Sequence, residues 1–189
     1  MNGARRLSQA IAEGDGISVL VEVRDAASAR IAEAEGAEGL VLRGPVEGVR
    51  EASALPLLLY ASVEAGTDVD AVVLTAEHDH DELARFVDEA AEHGVECVLR
   101  VGDEEDLERV LDALDPEIFL LAADRAEHGG PLERLLELLP DVPAGKLAIA
   151  ELPGATPEEV GELERAGVDA VLVTAADVAS LVGDTPPDV

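Results

Sequence analysis

Aromatic side chains are nearly absent from this 189-residue chain, which has no tryptophan, one tyrosine and two phenylalanines. Since 48% of the residues are hydrophobic, the core has to be built from Ala, Val, Leu and Ile, which suits the layered interior of a parallel sheet. The single cysteine, Cys97, excludes a disulfide framework and makes a reducing cytoplasm the expected location. No apolar run nears the ~18 residues of a membrane span. Arg5-Arg6 has no apolar stretch behind it, so no signal peptide is expected either. Positive charge is scarce: 13 Lys and Arg face 42 Asp and Glu, for a formal net charge of −29, and Lys146 is the one lysine. That balance repels nucleic acid and anionic membranes, which need a cationic footprint. The apolar fraction argues against disorder. An acidic, lysine-poor surface points to a halophilic source, where counterions screen self-repulsion.

What the chain does contain is one phrase repeated: a helix-ending glycine or polar step, then a short aliphatic run. It occurs at residues 36–42, 68–76, 94–99 and 167–175. Runs this short and apolar on both faces read as buried parallel strands fed by helices. The pattern predicts strands at 17–24, 39–43, 55–60, 70–75, 96–101, 117–122, 147–151 and 170–174. Helices are predicted between them, with a short one at 4–13 in front and another at 176–181 behind. Asp79 or Asp81 and Thr156 are read as helix caps and Asp103 as the start of a helix, with Pro131 and Pro157 in first turns. Only residues 61–69 separate the third and fourth strands, fewer than the roughly 10–12 of a crossover helix with its loops. The expected fold is therefore a single-domain α/β chain, a minimal (β/α)8 TIM barrel over 1–189. It has an N-terminal arm at 1–16, a frayed tail at 184–189, and the helix after the third strand missing or reduced to a loop. An open doubly wound sheet would want a glycine-rich turn after its first strand, which Arg24-Asp25-Ala26-Ala27 is not. Gly129-Gly130 is too short for a nucleotide loop, and no cofactor is expected.

Several phrases resemble indole-3-glycerol phosphate synthase: Val21-Glu22-Val23-Arg24, Leu55-Pro56, Asp70-Ala71-Val72-Val73-Leu74, Ala148-Ile149-Ala150-Glu151, and Gly167-Val168-Asp169-Ala170-Val171. The resemblance covers roughly 17–183 in the same order, without that family's long N-terminal extension. It implies a barrel that closes an indole ring with loss of carbon dioxide and water, using a lysine acid, a second lysine and stabilising glutamates. Carried over by position, the first-strand glutamate falls on Glu22 and the lysine beside it on Arg24. The family's Ser-Pro falls on Ala27-Ser28, and the third-strand catalytic lysine on Tyr60. The fifth-strand glutamate falls on Arg100, the sixth-strand Asn-x-Arg on Ala122-Ala123-Asp124, and the seventh-strand Glu-Ser-Gly on Glu151-Leu152-Pro153. The glycine after the last strand falls on Thr174. Both lysines are thus replaced, and an arginine of pKa above about 12 does not donate a proton. Pro153 removes an amide where such barrels hold phosphate, and Asp177 puts a carboxylate at the neighbouring loop. The resemblance therefore implies a degenerate barrel without the ancestral lyase reaction, serving a binding or structural role. The alternative is a small-molecule enzyme, either the lyase itself or one of altered chemistry.

Chemistry in such barrels sits at the C-terminal strand ends. The catalytic candidates there are Glu22, Tyr60 and Glu151. Arg24, Arg43, Arg100 and Arg125 form a candidate anion site of guanidinium forks. Against this stands a bland reading, in which Glu22, Arg24, Arg100 and Glu151 neutralise one another and close the mouth. Glu77-His78-Asp79-His80-Asp81, with His128, offers metal-type donors but no recognised spacing, and no metal site is expected. His93 suits a helix end, and Cys97 the core. A missing helix would bare Leu57–Leu59 and Val72, and an uncovered strand face invites a homodimer.

Overall fold

In a computed structural model, which describes residues 7–60, 68–76, 79–123, 129–174 and 178–182, the eight aliphatic runs form eight parallel strands. They are β1 (Ser18–Glu22), β2 (Gly39–Leu42), β3 (Leu57–Leu59), β4 (Ala71–Thr75), β5 (Glu96–Val101), β6 (Ile118–Ala122), β7 (Leu147–Glu151) and β8 (Ala170–Thr174). Each strand pairs with the next and β8 pairs with β1, so the sheet closes into a barrel without a free edge. The helices are α1 (Leu7–Ala12), α2 (Ala26–Ala34), α3 (Val49–Ala52), α4 (His80–Glu92), α5 (Glu104–Ala113), α6 (Pro131–Leu138), α7 (Pro157–Ala166) and α8 (Val178–Leu181).

Side chains alternate across each strand between two cores. One core lies between strands and helices and holds Val19, Val21, Leu57, Leu59, Leu99, Phe119 and Val171. The other fills the barrel with Leu20, Val41, Leu58, Val73, Val98, Leu120, Ile149 and Leu172. Advancing one residue at each strand pair from Leu20 passes Leu58, Val98 and Ile149 and returns to Leu20. That is the stagger of a (β/α)8 barrel, whose interior is stacked in layers of four from alternate strands. Two residues further along β1, β3, β5 and β7, the same layer rule brings together Glu22, Tyr60, Arg100 and Glu151.

Local chemistry explains the element ends. Asp25, Asp79, Asp103 and Thr156 cap α2, α4, α5 and α7, each accepting a backbone N–H from its helix's first turn. Thr156 and Glu159 complete a reciprocal capping box, and Gly167 ends α7 in the left-handed region at φ 97°. The polar step before β4 and β8 has a purpose as well. Asp70 accepts the Leu57 N–H and Asp169 accepts the Ala148 N–H, each at 2.8 Å, pinning the foot of one strand to its neighbour. Asp70 also takes the Arg50 guanidinium. Below the barrel, Leu7 and Ile11 of α1 join the interior core. Gly39 makes room for Leu20, because a Cβ there would lie 2.8 Å from that side chain.

One expectation is overturned. Leu57, Leu58, Leu59 and Val72 are all buried at 2% exposure or less, so β3 and β4 offer no bare face, and the homodimer surface inferred from one disappears. The missing-helix expectation itself falls on residues 61–67, which lie outside the described residues.

Candidate functional site

The charged layer at the C-terminal strand ends is organised by Glu151, which is 9% exposed at the end of β7. One carboxylate oxygen accepts Arg43 Nη2 at 2.8 Å and the Tyr60 hydroxyl at 3.0 Å. The other accepts Arg100 Nε at 2.8 Å. Arg43 also donates its Nε to Glu22 at 2.9 Å, and its guanidinium carbon lies 3.9 Å from the centre of the Tyr60 ring. Two acids and two guanidiniums therefore balance across the mouth, with the phenol wedged between them.

Electrostatics follow from that packing. Burial, then the Glu151 charge, push the Tyr60 phenol well above its ordinary range, and Arg43 and Arg100 offset this only in part. Burial opposes the charge on Arg43, but its bonds to Glu151 and Glu22 outweigh burial and hold it more firmly protonated than usual. A phenol held so high is a poor proton donor.

The candidates part company at this layer. Glu22, Tyr60, Arg43, Arg100 and Glu151 converge. Arg24 does not belong to the network that the bland reading gave it. It is exposed beyond the end of β1, and its guanidinium has no hydrogen bond or ion pair among the described residues. Its backbone N–H goes to Ser28 Oγ. Arg43, already a candidate for the anion site, takes its place in the network, as the strand period allows: Val41 points inward, so Arg43 does too. Arg125, Asp124, Glu77, His78, His128 and Asp177 lie outside the described residues.

Asp79 is a cap, accepting the Glu82 N–H at 2.9 Å. His93 caps the C-terminus of α4, its Nδ1 2.8 Å from the Glu89 carbonyl oxygen. Among the described residues no group of three or more His, Cys, Asp or Glu is placed to hold a metal ion. Cys97 is partly buried, and burial pushes its thiol up to about 11. Sequence reasoning missed Asp106. It is buried in α5, accepting the Gly102 N–H and Arg109, while Arg109 also donates to the Ala76 carbonyl at the end of β4. An acid in a helix's first turn reads as solvated, and only the fold reveals this one as a brace under the rim.

At the ends of β7 and β8 one backbone amide is already engaged, and residues 175–177 beyond β8 lie outside the described residues. The Thr174 N–H donates to the Pro153 carbonyl at 2.9 Å, and Pro153 has no N–H to offer. No helix among the described residues is long and apolar enough to cross a membrane.

Closed parallel strands with a charged layer at their C-terminal ends define the class, a (β/α)8 barrel of the kind that carries its functional groups at that face. No protein-family model matches the chain. By sequence it is similar to indole-3-glycerol phosphate synthase from Geobacillus sp. (strain WCH70), 30% identical over 143 residues, covering 69% of this chain and 55% of that protein. The same enzyme from Caldanaerobacter subterraneus is 30% identical over 172 residues, covering 86% of this chain and 61% of that protein. The chain thus spans little more than half the length of these curated relatives. Among solved structures it resembles the N-acetylmannosamine-6-phosphate 2-epimerase of Clostridium perfringens, with a TM-score of 0.68 and 17% identity over 85% of this chain and 87% of that one. A 3-hexulose-6-phosphate synthase gives a TM-score of 0.66 and 18% identity over 88% and 95%. These structural likenesses establish the fold; the sequence likeness is to indole-3-glycerol phosphate synthase.

Proposed function

We propose that this chain is a binding barrel on an indole-3-glycerol phosphate synthase-like scaffold, without the ring-closing reaction, and that its mouth receives a small anion. The observation that carries the reading is the saturation of Glu151, whose two oxygens are taken by Arg43, Tyr60 and Arg100. A carboxylate so engaged is not free to stabilise a passing cationic intermediate. Tyr60 stands where the resemblance places the lysine acid, and its raised pKa opposes proton donation. The engaged Thr174 amide and the proline at 153 argue against the usual phosphate grip. The unpaired guanidinium of Arg24 and the exposed edge of Arg43, 43% exposed, are the groups that would meet the anion.

Incubating the purified chain with the ring-closure substrate is expected to yield no indole product above the buffer rate. Calorimetric titration with inorganic phosphate or a small carboxylate is expected to show saturable binding, weakened at least ~10-fold by Arg24→Ala, as loss of one charge-assisted contact implies. Enzymatic product formation would refute the first half of the reading. Binding indifferent to Arg24→Ala would refute the second. The charge of −29 is read, in addition, as adaptation to high salt.

A further inference from the structure

At the opposite end of the barrel, Ser18 is fully buried at the foot of β1, and its hydroxyl has no hydrogen-bond partner. Buried hydroxyls are normally paired, so an orphan marks a missing partner. A Cβ placed on Gly14 would lie 3.0 Å from that hydroxyl and 3.3 and 3.4 Å from the two carboxylate oxygens of Glu38. Three oxygens, from β1 and from the residue before β2, therefore face one space that glycine leaves without a side chain. Among the described residues the Glu38 carboxylate has no hydrogen bond or ion pair either. It lines a hollow of about 420 Å³ together with Asp15 and Glu164, and among the described residues no lysine or arginine lines it. Through this hollow the Glu38 side of the site opens to solvent.

We propose that Ser18 Oγ and the Glu38 carboxylate, beside Gly14, bind a monovalent alkali cation. Oxygen donors without nitrogen or sulfur suit hard cations. A divalent ion draws on several carboxylates at once, and no group of three or more acidic, histidine or cysteine side chains among the described residues is placed for one. One carboxylate balances one positive charge. Gly14 follows α1, whose Leu7 and Ile11 close the barrel floor, so the ion ties the exit of that helix to the feet of β1 and β2.

Thermal unfolding of the full chain at constant ionic strength tests this, with choline chloride replaced stepwise by KCl or NaCl. The expected result is a saturable rise in Tm of about 2–4 °C beyond the choline value. Glu38→Gln is expected to abolish the rise, as is Gly14→Ala, whose methyl enters the cradle. Glu108→Gln, on α5, is expected to keep it. Ser18→Ala removes the orphan hydroxyl, so it is expected to lose the potassium response without losing stability in choline. A Tm that stays at the choline value throughout the exchange, or an undiminished potassium response in Glu38→Gln, overturns the proposal. If the Gly14 variant fails to fold, crystals of the unaltered chain grown in rubidium chloride decide. An anomalous peak between Ser18 and Glu38 supports the site, and a water there without a peak refutes it. Saturation by micromolar magnesium or calcium in place of potassium refutes the monovalent assignment.

Discussion

Glu151 holds Arg43, Tyr60 and Arg100 together at the mouth, and two substitutions separate its part from that of Glu22. Glu151→Gln keeps the shape but leaves Arg100 and one edge of Arg43 facing a neutral amide at a buried position. It is expected to cost about 3 kcal/mol in denaturant unfolding, the low end for a broken buried pair, because Arg43 can rehydrate. Glu22→Gln removes a partner from the exposed side of Arg43 and is expected to cost only ~0.2–1 kcal/mol. Equal costs would mean that the two carboxylates share the load. Tyr60 is the one tyrosine in the chain, so its near-ultraviolet titration reports this layer alone. Its folded pKa is raised, so the phenol stays protonated while the barrel holds. The contribution is complete below the unfolded value of about 10 and is lost as pH climbs towards the folded one. Phenolate absorbance is therefore expected to appear together with unfolding, and free titration near pH 10 in a folded chain would contradict the burial.

Among the elements, α7 tests how much local signals contribute on their own. Thr156→Ala removes both the N-cap and its half of the capping box with Glu159, and is expected to cost about 1 kcal/mol in thermal unfolding, with Thr156→Ser close to neutral. This helix was legible because its cap, first-turn proline and terminal glycine all sit in sequence order. The strands β5, β7 and β8 likewise have the predicted bounds. In β1 and β3, both shorter than predicted, side chains have taken the backbone groups. The Leu57 N–H goes to Asp70, and Pro56 has none, so β3 begins late. Ser28 Oγ takes the N–H groups of Arg24 and Asp25 and ends β1 early. Such capture between segments has no signature in local periodicity.

Over the whole molecule, 42 acidic residues against 13 basic ones repel one another, and the repulsion is screened within about 10 Å at 0.1 M salt. Tm is expected to rise with added salt of any kind, choline included, from low ionic strength upward, and calorimetry in a choline chloride series checks this. A flat response would show that the acids are already neutralised within the fold. By itself the sequence determined the number and order of strands, their alternation with helices and the barrel they close, since glycines, caps and aliphatic runs act over a few neighbouring residues. Only the tertiary structure decided which charged side chains meet. The partnership of Glu151 with Arg43, Arg100 and Tyr60 spans 108, 51 and 91 positions. The stagger of the closed barrel sets those meetings, and so it drew Arg43 into the mouth and left Arg24 outside.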